Sequence, residues 1–349
     1  MKPTRDRLCA VFASLVALAG PALATTPLPG AAHRVLEATG VQAGHILDLW
    51  RLVLALCSVV FLAIVAAMLY AVWRRPRADA DTAPDLSMVN RNEPAPRRHV
   101  TQAAVVAGVL LLLLVAASVL TDRALARMPL QDAINIEVTG HQWWWTVRYR
   151  SGTVSEEFET ANEIHVPVGR PVIVTLNSDD VIHSLWVPNL AGKKDLIPGR
   201  TALLEFRADQ PGVYRGQCAE FCGYQHALMG LFVVAEPQDR FDRWTAAQRL
   251  TAPPPAGSAA ARGKSLFEST ACAMCHTVQG TLAQGKHAPD LTHLAGRQTL
   301  AAGVLPNTQD SLASWIVDPQ RYKPGTNMPT IPMSPQDLQA IVAWLETLK

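Results

Sequence analysis

The chain has 349 residues, which corresponds to two or three domains at about 150 residues per domain. Charged residues make up 17% of it and hydrophobic residues 49%, which excludes a disordered chain and is unusual for a soluble enzyme. The formal net charge of +2 gives no sign of a nucleic-acid partner. Six cysteines are too few for a disulfide scaffold in a chain of this length. The composition therefore favours a membrane-anchored protein.

The N-terminal segment, residues 1–24, has the pattern of a secretory signal peptide. Three basic residues among the first seven precede a short apolar stretch, which ends at Ala22-Leu23-Ala24. A basic start, a short apolar centre and an A-x-A ending are typical of a signal peptide. A first membrane anchor is the alternative, but the apolar run is short and Gly20-Pro21 interrupts it.

Two longer apolar runs follow, at 52–73 and 103–120, and each is close to the roughly 20 residues that a helix needs to cross a bilayer. The loop between them, 74–99, holds six arginines, and positive charge in a short loop marks the cytoplasmic side. We therefore predict a transmembrane hairpin over 45–122, with helices at about 46–73 and 100–120 and both ends outside. Two buried helices of a soluble domain are the alternative, but neither run has a polar face.

Residues 131–240 have the rhythm of an all-β domain. Short apolar segments alternate there with turn signals such as Pro198-Gly199, which predicts an antiparallel sandwich or barrel. The predicted strands are 134–139, 143–149, 172–176, 182–187, 202–206, 213–217 and 228–234.

A linker is predicted over 246–261, because 252–261 is rich in Pro, Ala and Gly. From 262 to 349 the chain becomes helical again, with helices predicted at 263–268, 311–317 and 335–348. The predicted fold class is therefore multi-domain, with a two-helix transmembrane hairpin, an all-β sandwich and an all-α domain in that order. The sequence has no internal repeat.

A twelve-residue segment at 218–229 is rich in donors for a soft metal. Thiolates, an imidazole and a thioether select a late first-row metal, and the thioether favours copper over zinc. His183, on a predicted strand 35 residues upstream, supplies a further imidazole. The potential donors in the segment are Cys218, Glu220, Cys222, His226 and Met229.

Two thiolates four residues apart can each bridge two copper ions. Two ions that share one electron each change charge by half, so such a centre suits electron transfer and offers no open position to a substrate. A Cys218–Cys222 disulfide is one alternative, but it leaves the spacing of His226 and Met229 unexplained. A structural zinc site is the other, and such sites seldom use Met.

The sequence Cys272-Ala-Met-Cys275-His276 is the C-x-x-C-H signal for covalent haem attachment. Two thiols on one helical turn can bond the two vinyl groups of a haem, and the adjacent imidazole of His276 then approaches the iron from one face. A thioredoxin-like redox pair is the alternative, but it needs a βαβ setting that this segment lacks.

The sixth ligand to such a haem lies further along the chain. The sequence Tyr322-Lys-Pro-Gly-Thr-Asn-Met328 resembles the P-G-T-x-M loop of class I cytochromes c. This resemblance implies that Met328 is the ligand, with Met333 as the alternative thioether. His287 and His293 are the competing nitrogen ligands, although histidines in solvated loops are common.

Three motifs together resemble cytochrome c oxidase subunit II over roughly residues 46–237. They are C-x-E-x-C-x3-H-x2-M at 218–229, D-V-I-H-S-L-W-V-P at 180–188 and G-H-Q-W-W-W at 140–145. The resemblance implies a cupredoxin-like Greek-key sandwich that holds the binuclear copper centre CuA. The ligands that it implies are His183, Cys218, Cys222, His226, Met229 and the backbone carbonyl of Glu220.

The same resemblance implies two further roles. The Glu220 side chain is expected to reach a magnesium ion at the boundary with subunit I, and Trp143 is expected to be the aromatic residue through which electrons enter CuA. Alternation along a strand places Trp143 and Trp145 on one face, so we also expect at least one of them to pack in the core.

Haem c and CuA on one chain imply subunit II of an oxidase that carries its own cytochrome c domain. Electrons are expected to pass from an external cytochrome or respiratory complex to haem c, to CuA and then to subunit I, where dioxygen is reduced to water with proton translocation. The catalytic site then lies on another subunit, since the two apolar helices hold no metal ligand set. Expected partners are subunits I and III and membrane lipid, without nucleic acid, in a bacterial cell membrane with both domains on the periplasmic face.

Two other functions use the same features, namely the CuA subunit of a nitric oxide reductase and a free-standing membrane electron carrier. The sequence also departs from the family at one point. Many relatives have an acidic residue near the start of the second helix, whereas the stretch 99–107 has no carboxylate. We therefore assign this helix no role in proton entry.

Overall fold

The computed structural model describes residues 34–74 and 94–349. The predicted signal peptide, 1–24, and most of the predicted cytoplasmic loop, 74–99, lie outside the described residues. Within that part of the chain, a helical hairpin is followed by a β-sandwich and then by a helical domain.

The hairpin consists of α1 (Val41–Arg74) and α2 (Pro94–Leu125), which pack against each other. Both helices are long and apolar enough to cross a membrane. They extend beyond the predicted spans at both ends, because the polar residues that flank each apolar run are still compatible with a helix. The apolar run therefore marks the part suited to the bilayer rather than the ends of the helix.

In the described residues, ten strands form two five-stranded sheets, in the orders β3-β2-β1-β5-β8 and β4-β10-β9-β6-β7. The β1–β5 and β4–β10 pairs are parallel, so the prediction of an antiparallel sandwich is wrong for these two pairs. Periodicity indicates which side chains face the core, but not which strands become neighbours. The strands are β1 (Ile134–His141), β2 (Trp144–Arg150), β3 (Phe158–Ala161), β4 (Glu163–Pro167), β5 (Pro171–Ser178), β6 (His183–Trp186), β7 (Lys194–Leu196), β8 (Ala202–Arg207), β9 (Gly212–Cys218) and β10 (Gly230–Glu236).

A short helix closes one end of the sandwich. This helix, α3 (Gln238–Gln248), packs Trp244 edge-on against Tyr149 and stacks it on His165 at 4.1 Å between ring centroids. The helix runs past the predicted end of the β domain at 240 and into the predicted linker. Its aromatic face belongs to the sandwich core.

The C-terminal domain is mainly helical, with one two-residue ladder at 299–300 and 305–306. Its first helix begins at Gly257, inside the predicted linker, since the alanines that follow favour a helix. This helix crosses the last helix closely, and a Cβ at Gly263 would lie 1.9 Å from the Ala340 carbonyl oxygen. The helices are α4 (Gly257–Ser269), α5 (Cys272–Cys275), α6 (Gln309–Val317), α7 (Pro319–Tyr322) and α8 (Pro335–Leu345).

The helical domain is docked on the sandwich through buried polar contacts. The Glu163 carboxylate, in β4, accepts hydrogen bonds from the backbone N–H groups of Gln298 at 2.6 Å and Thr299 at 3.3 Å. The N–H of Gly230 donates to the Ala302 carbonyl at 3.0 Å. These contacts hold the helical domain against the sandwich.

Candidate metal centre and haem pocket

Three neighbouring strands bring the predicted metal donors to one end of the sandwich. His183 begins β6, Cys218 ends β9 and Met229 directly precedes β10. The strands β6, β9 and β10 are adjacent in one sheet, so their ends meet. His226 begins a single 3-10 turn in the loop between β9 and β10.

The donor atoms form a compact cluster around the two thiols, whose Sγ atoms lie 3.6 Å apart. Each thiol has its own imidazole, because Cys218 Sγ lies 3.8 Å from His183 Nδ1 and Cys222 Sγ lies 3.7 Å from His226 Nδ1. The cluster is completed by Met229 Sδ, 3.8 Å from Cys222 Sγ, and by the Glu220 carbonyl oxygen, 3.1 Å from Cys218 Sγ.

These separations fit donors that surround a first-row metal. Bonds of roughly 2.0–2.3 Å at tetrahedral angles place neighbouring donor atoms about 3.5 Å apart. A disulfide needs an S–S distance of about 2.05 Å, and the two sulfurs at 3.6 Å are not bonded to each other. The predicted donors are thus in place, and the disulfide alternative does not describe this structure.

The electrostatics of the metal-free site favour a thiolate beside a protonated imidazole. Hydrogen bonds from the Cys222 thiol and from His183 lower the pKa of Cys218 to about 3. The neighbouring Cys218 thiolate correspondingly raises the pKa of Cys222. Burial lowers the pKa of His183, but hydrogen bonds with Asp180 and Cys218 outweigh it and raise this pKa to about 8. These shifts favour ionisation of one of the two thiols, and the thiolate is the form that binds a soft metal.

Asp180 orients His183, and sequence analysis missed this residue. The His183 Nε2–H donates to Asp180 Oδ1 at 2.7 Å, which leaves Nδ1 facing the thiols. The carboxylate is itself held by the N–H groups of Gln142 and Val181, each at 2.6 Å. The available signal was an acidic residue three positions before the histidine.

Gly140 makes room for the imidazole of His183. A Cβ at this position would lie 2.8 Å from His183 Cδ2, closer than side chains approach one another. The glycine of the G-H-Q-W-W-W block thus has a steric role at the site.

Trp143 joins the G-H-Q-W-W-W block to the cysteine-rich loop, which comprises residues 218–229. Its indole Nε1–H donates to the Cys222 carbonyl at 2.9 Å, and the Gln142 side chain donates to the same oxygen at 2.8 Å. Trp143 and Trp145 are both buried, which confirms that at least one of them packs in the core.

The Glu220 side chain is exposed, although its carbonyl oxygen belongs to the cluster. The carboxylate is therefore accessible from outside the chain.

A cavity of about 480 Å³ lies beside the C-x-x-C-H segment, a size typical of cofactor sites. Cys272, Cys275, His276 and Met328 all line it. His276 Nδ1–H donates to the Pro289 carbonyl at 2.7 Å, which leaves Nε2 available to a metal. Burial lowers the pKa of His276, and this favours the neutral imidazole that ligation requires.

Two buried polar atoms on the cavity wall fit an anionic group. Arg297 Nε and Thr299 Oγ1 have no hydrogen-bond partner among the described residues, and both residues line the cavity. Unsatisfied buried donors are rare, and the carboxylates of a haem are suitable acceptors. The residues present therefore fit a haem.

The four candidates for the sixth haem ligand differ in their surroundings. Met328 lines the cavity, whereas Met333 packs against the hydrophobic core of the domain. Both ring nitrogens of His293 face backbone carbonyl oxygens, those of Lys349 at 2.8 Å and Leu250 at 3.0 Å. His287 lines the cavity but is exposed. The geometry favours Met328.

A cupredoxin-like sandwich with a two-thiolate loop, joined to a C-x-x-C-H domain and an apolar hairpin, defines a membrane-anchored electron-transfer protein. The family model of the periplasmic domain of cytochrome c oxidase subunit II matches residues 134–236, and the cytochrome c model matches residues 260–349. Cytochrome c oxidase subunit 2 of Bacillus sp. strain PS3 is 30% identical over 260 residues, which cover 69% of this chain and 71% of that protein. The chain therefore belongs to the cytochrome c oxidase subunit 2 family, and it carries a cytochrome c domain.

Other similar proteins have the same name. Cytochrome c oxidase subunit 2 of Alkalihalophilus pseudofirmus is 40% identical over 220 residues, and the match spans 62% of each protein. Among solved structures, the periplasmic domain of subunit II of cytochrome oxidase from Bradyrhizobium japonicum is 30% identical and has a TM-score of 0.32. The match covers 35% of this chain and 97% of the Bradyrhizobium japonicum chain.

Proposed function

We propose that this chain is the electron-accepting subunit of a terminal haem–copper oxidase. Electrons from an external donor enter the chain at a haem c, pass to a binuclear copper centre CuA and leave towards subunit I, where dioxygen is reduced to water with proton translocation. The observation that carries the proposal is the position of Trp143, which lines the haem cavity and also donates a hydrogen bond to the Cys222 carbonyl.

The copper centre is assigned to the six donors of the cluster around Cys218 and Cys222. A pair of copper ions bound there supplies one-electron chemistry in which the change of charge is divided between two metals. The protein keeps water away, since His183, Cys218, Cys222 and Met229 are all buried. Asp180 holds the His183 ring in one orientation, which is the usual role of a carboxylate behind a metal-bound imidazole.

The haem is assigned to the cavity of the cytochrome c domain. Cys272 and Cys275 would hold it through thioether bonds, and His276 and Met328 would supply the ligands to its iron. A haem held in this way supplies one-electron oxidation and reduction. Its pocket is closed on one side by the sandwich, because Gln142, Trp143, Trp144 and Asn162 line the same cavity.

The docked domains suit electron transfer within one chain. A tether alone gives an effective concentration of the order of millimolar, whereas the contacts at Glu163 and Gly230 hold one orientation. The chain then needs a diffusional encounter only with its external donor.

The hairpin α1–α2 would place both domains on the periplasmic face of a bacterial cell membrane. Six arginines in the loop 74–99 support a cytoplasmic position for that loop. Subunits I and III would then contact the hairpin and the membrane side of the sandwich, and the exposed carboxylate of Glu220 would meet magnesium at that boundary.

Purification of the tagged full chain from its native membrane tests the proposal. We expect two copper ions and one covalently bound haem per chain, together with a multi-helix subunit and consumption of dioxygen by the complex. A single copper ion, or a chain that purifies alone at full abundance, contradicts the proposal. Consumption of nitric oxide in place of dioxygen would assign the chain to a reductase instead.

A further inference from the structure

One buried lysine lies between the haem pocket and the cysteine-rich loop. Lys323 is only 3% exposed and belongs to the segment between α7 and Met328. Its Nζ donates to the Trp143 carbonyl at 2.8 Å and to the Ala301 carbonyl at 3.4 Å. Burial lowers the pKa of this lysine to about 7.

A buried lysine amino group with no carboxylate partner among the described residues is costly to keep, so its position calls for a physical reason. Lys323 lines the haem cavity and contacts the backbone of the sandwich at the same time. An apolar side chain would fill this space without the desolvation cost. The amino group provides what an apolar side chain cannot, namely donors aimed at carbonyl groups on both sides of the domain boundary.

Trp143 connects Lys323 to the cysteine-rich loop through two hydrogen bonds. The Trp143 carbonyl accepts from Lys323, and the Trp143 indole donates to the carbonyl of Cys222 at 2.9 Å. Two further hydrogen bonds join the same two domains beside Lys323. Asn327 Nδ2 donates to the Gln142 carbonyl at 3.2 Å, and the Gln225 side chain donates to the Pro324 carbonyl. The loop that carries Met328 is thus fastened to the loop that carries Cys222.

We propose that Lys323 is a positioning residue for electron transfer between the haem pocket and the cysteine-rich loop. Its amino group holds the backbone of Trp143 and thereby fixes the separation of the two sites. This inference rests on the proposed function. Because electron transfer weakens steeply with distance, even a small displacement of Trp143 lowers the rate of the internal step.

The test measures the internal step in the full chain, loaded with copper and haem and kept in detergent. A flash-generated reductant delivers one electron to the haem, and the absorbances of the haem and of the copper centre are followed separately. We expect Lys323→Met to slow the internal transfer about tenfold or more. Lys323→Arg, which keeps N–H donors at this position, should recover most of the rate, and Lys349→Met, an exposed lysine of the same domain, should leave it unchanged.

A second measurement does not depend on cofactor loading. In the unloaded full chain, Lys323→Met should accelerate amide hydrogen exchange at residues 142–146 and 220–225, whereas Lys349→Met should not. An internal transfer rate of Lys323→Met within about twofold of the wild type, or unchanged exchange at these residues, overturns the inference.

The failure of this inference can be told from the failure of the proposed function. If the wild-type chain lacks a second copper ion, or shows no transfer from haem to copper, the proposed function fails. If the wild-type chain transfers normally and Lys323→Met does so equally fast, only the role of Lys323 fails.

Discussion

The two thiols of the metal site have unequal surroundings. Hydrogen bonds lower the pKa of Cys218, which contacts His183 and the Glu220 carbonyl. The neighbouring Cys218 raises the pKa of Cys222, which contacts His226 and Met229. A metal that binds both sulfurs as thiolates would need the Cys222 thiol to ionise, and it would bring His226 and Met229 into use. In the proposed copper centre, Cys222 is thus the residue that would distinguish a binuclear site from a mononuclear one.

Replacement of Cys222 by serine should abolish the binuclear copper centre and leave the haem attached. The variant retains one thiolate and His183, so we expect at most one copper ion per chain and loss of the near-infrared copper band. Metal analysis and optical spectra of the purified full chain measure both quantities. Cys57→Ser, at an exposed cysteine on α1, is the matched control. Two copper ions in Cys222→Ser would disprove the bridging role.

The sixth haem ligand is tested by exchanging each methionine of the Met328 region in turn. Met328→Ala should change the haem spectrum and lower its reduction potential, since the loss of a thioether ligand disfavours the reduced iron. The haem should stay attached through Cys272 and Cys275, and the copper band should persist. Met333→Ala removes a side chain that packs on the core and should leave the haem spectrum unchanged. The reverse result would make Met333 the ligand.

At the scale of elements, the sequence predicts those features that depend on local pattern. Five of the helices and seven of the strands follow from apolar periodicity, with shifts of up to six residues at their ends. The helices α3 and α7 and the strand β3 were not predicted. The strand β4 was missed because its sequence places Glu163 and His165 inside a strand, and these charges find partners only after folding. The strand β7 was missed because it is short and exposed.

The same limit applies to the site. The donors from Cys218 to Met229 are close in sequence, so spacing alone reveals them. Lys323 lies 180 residues from Trp143, and only the docking of two domains brings them together. No local pattern marks such a lysine, since its sequence context is that of a haem ligand loop.

The crossing of α4 and α8 depends on a residue without a side chain. Gly263→Ala places a Cβ against the Ala340 carbonyl oxygen, which belongs to a helix backbone and cannot move aside. The gain in helix propensity is about 1 kcal/mol, whereas overpacking costs about 1–3 kcal/mol. We expect a net fall in the free energy of unfolding of the cytochrome c domain, measured by denaturant titration of the haem absorbance.

Gly296→Ala is the control for this crossing. A Cβ at Gly296 meets no atom within 4 Å, so its stability should stay within about 0.5 kcal/mol of the wild type. If Gly263→Ala is as stable as Gly296→Ala, the close approach of the two helices is not required by the fold.

At the scale of the whole molecule, a short linker joins two domains that are docked on each other. Eight residues, 249–256, separate α3 from α4. They are themselves held, because Arg249 donates to the Glu156 carbonyl at 3.1 Å and the Ala252 N–H donates to the Gln279 carbonyl at 3.0 Å. The linker therefore follows the docked surface, and the contacts between the domains fix their orientation.

A longer linker tests whether the interface between the domains or the tether keeps them together. Sixteen Gly and Ser residues inserted after the exposed Pro254 make the linker about three times as long, which lowers the effective concentration of a free domain about fivefold. For the docked domains we expect the internal electron-transfer rate to stay within about twofold of the wild type. The same insertion in Lys323→Met is the control, because weaker docking should make the rate sensitive to linker length. A fivefold loss in the otherwise unchanged chain would mean that the tether, and not the interface, holds the haem pocket beside Trp143.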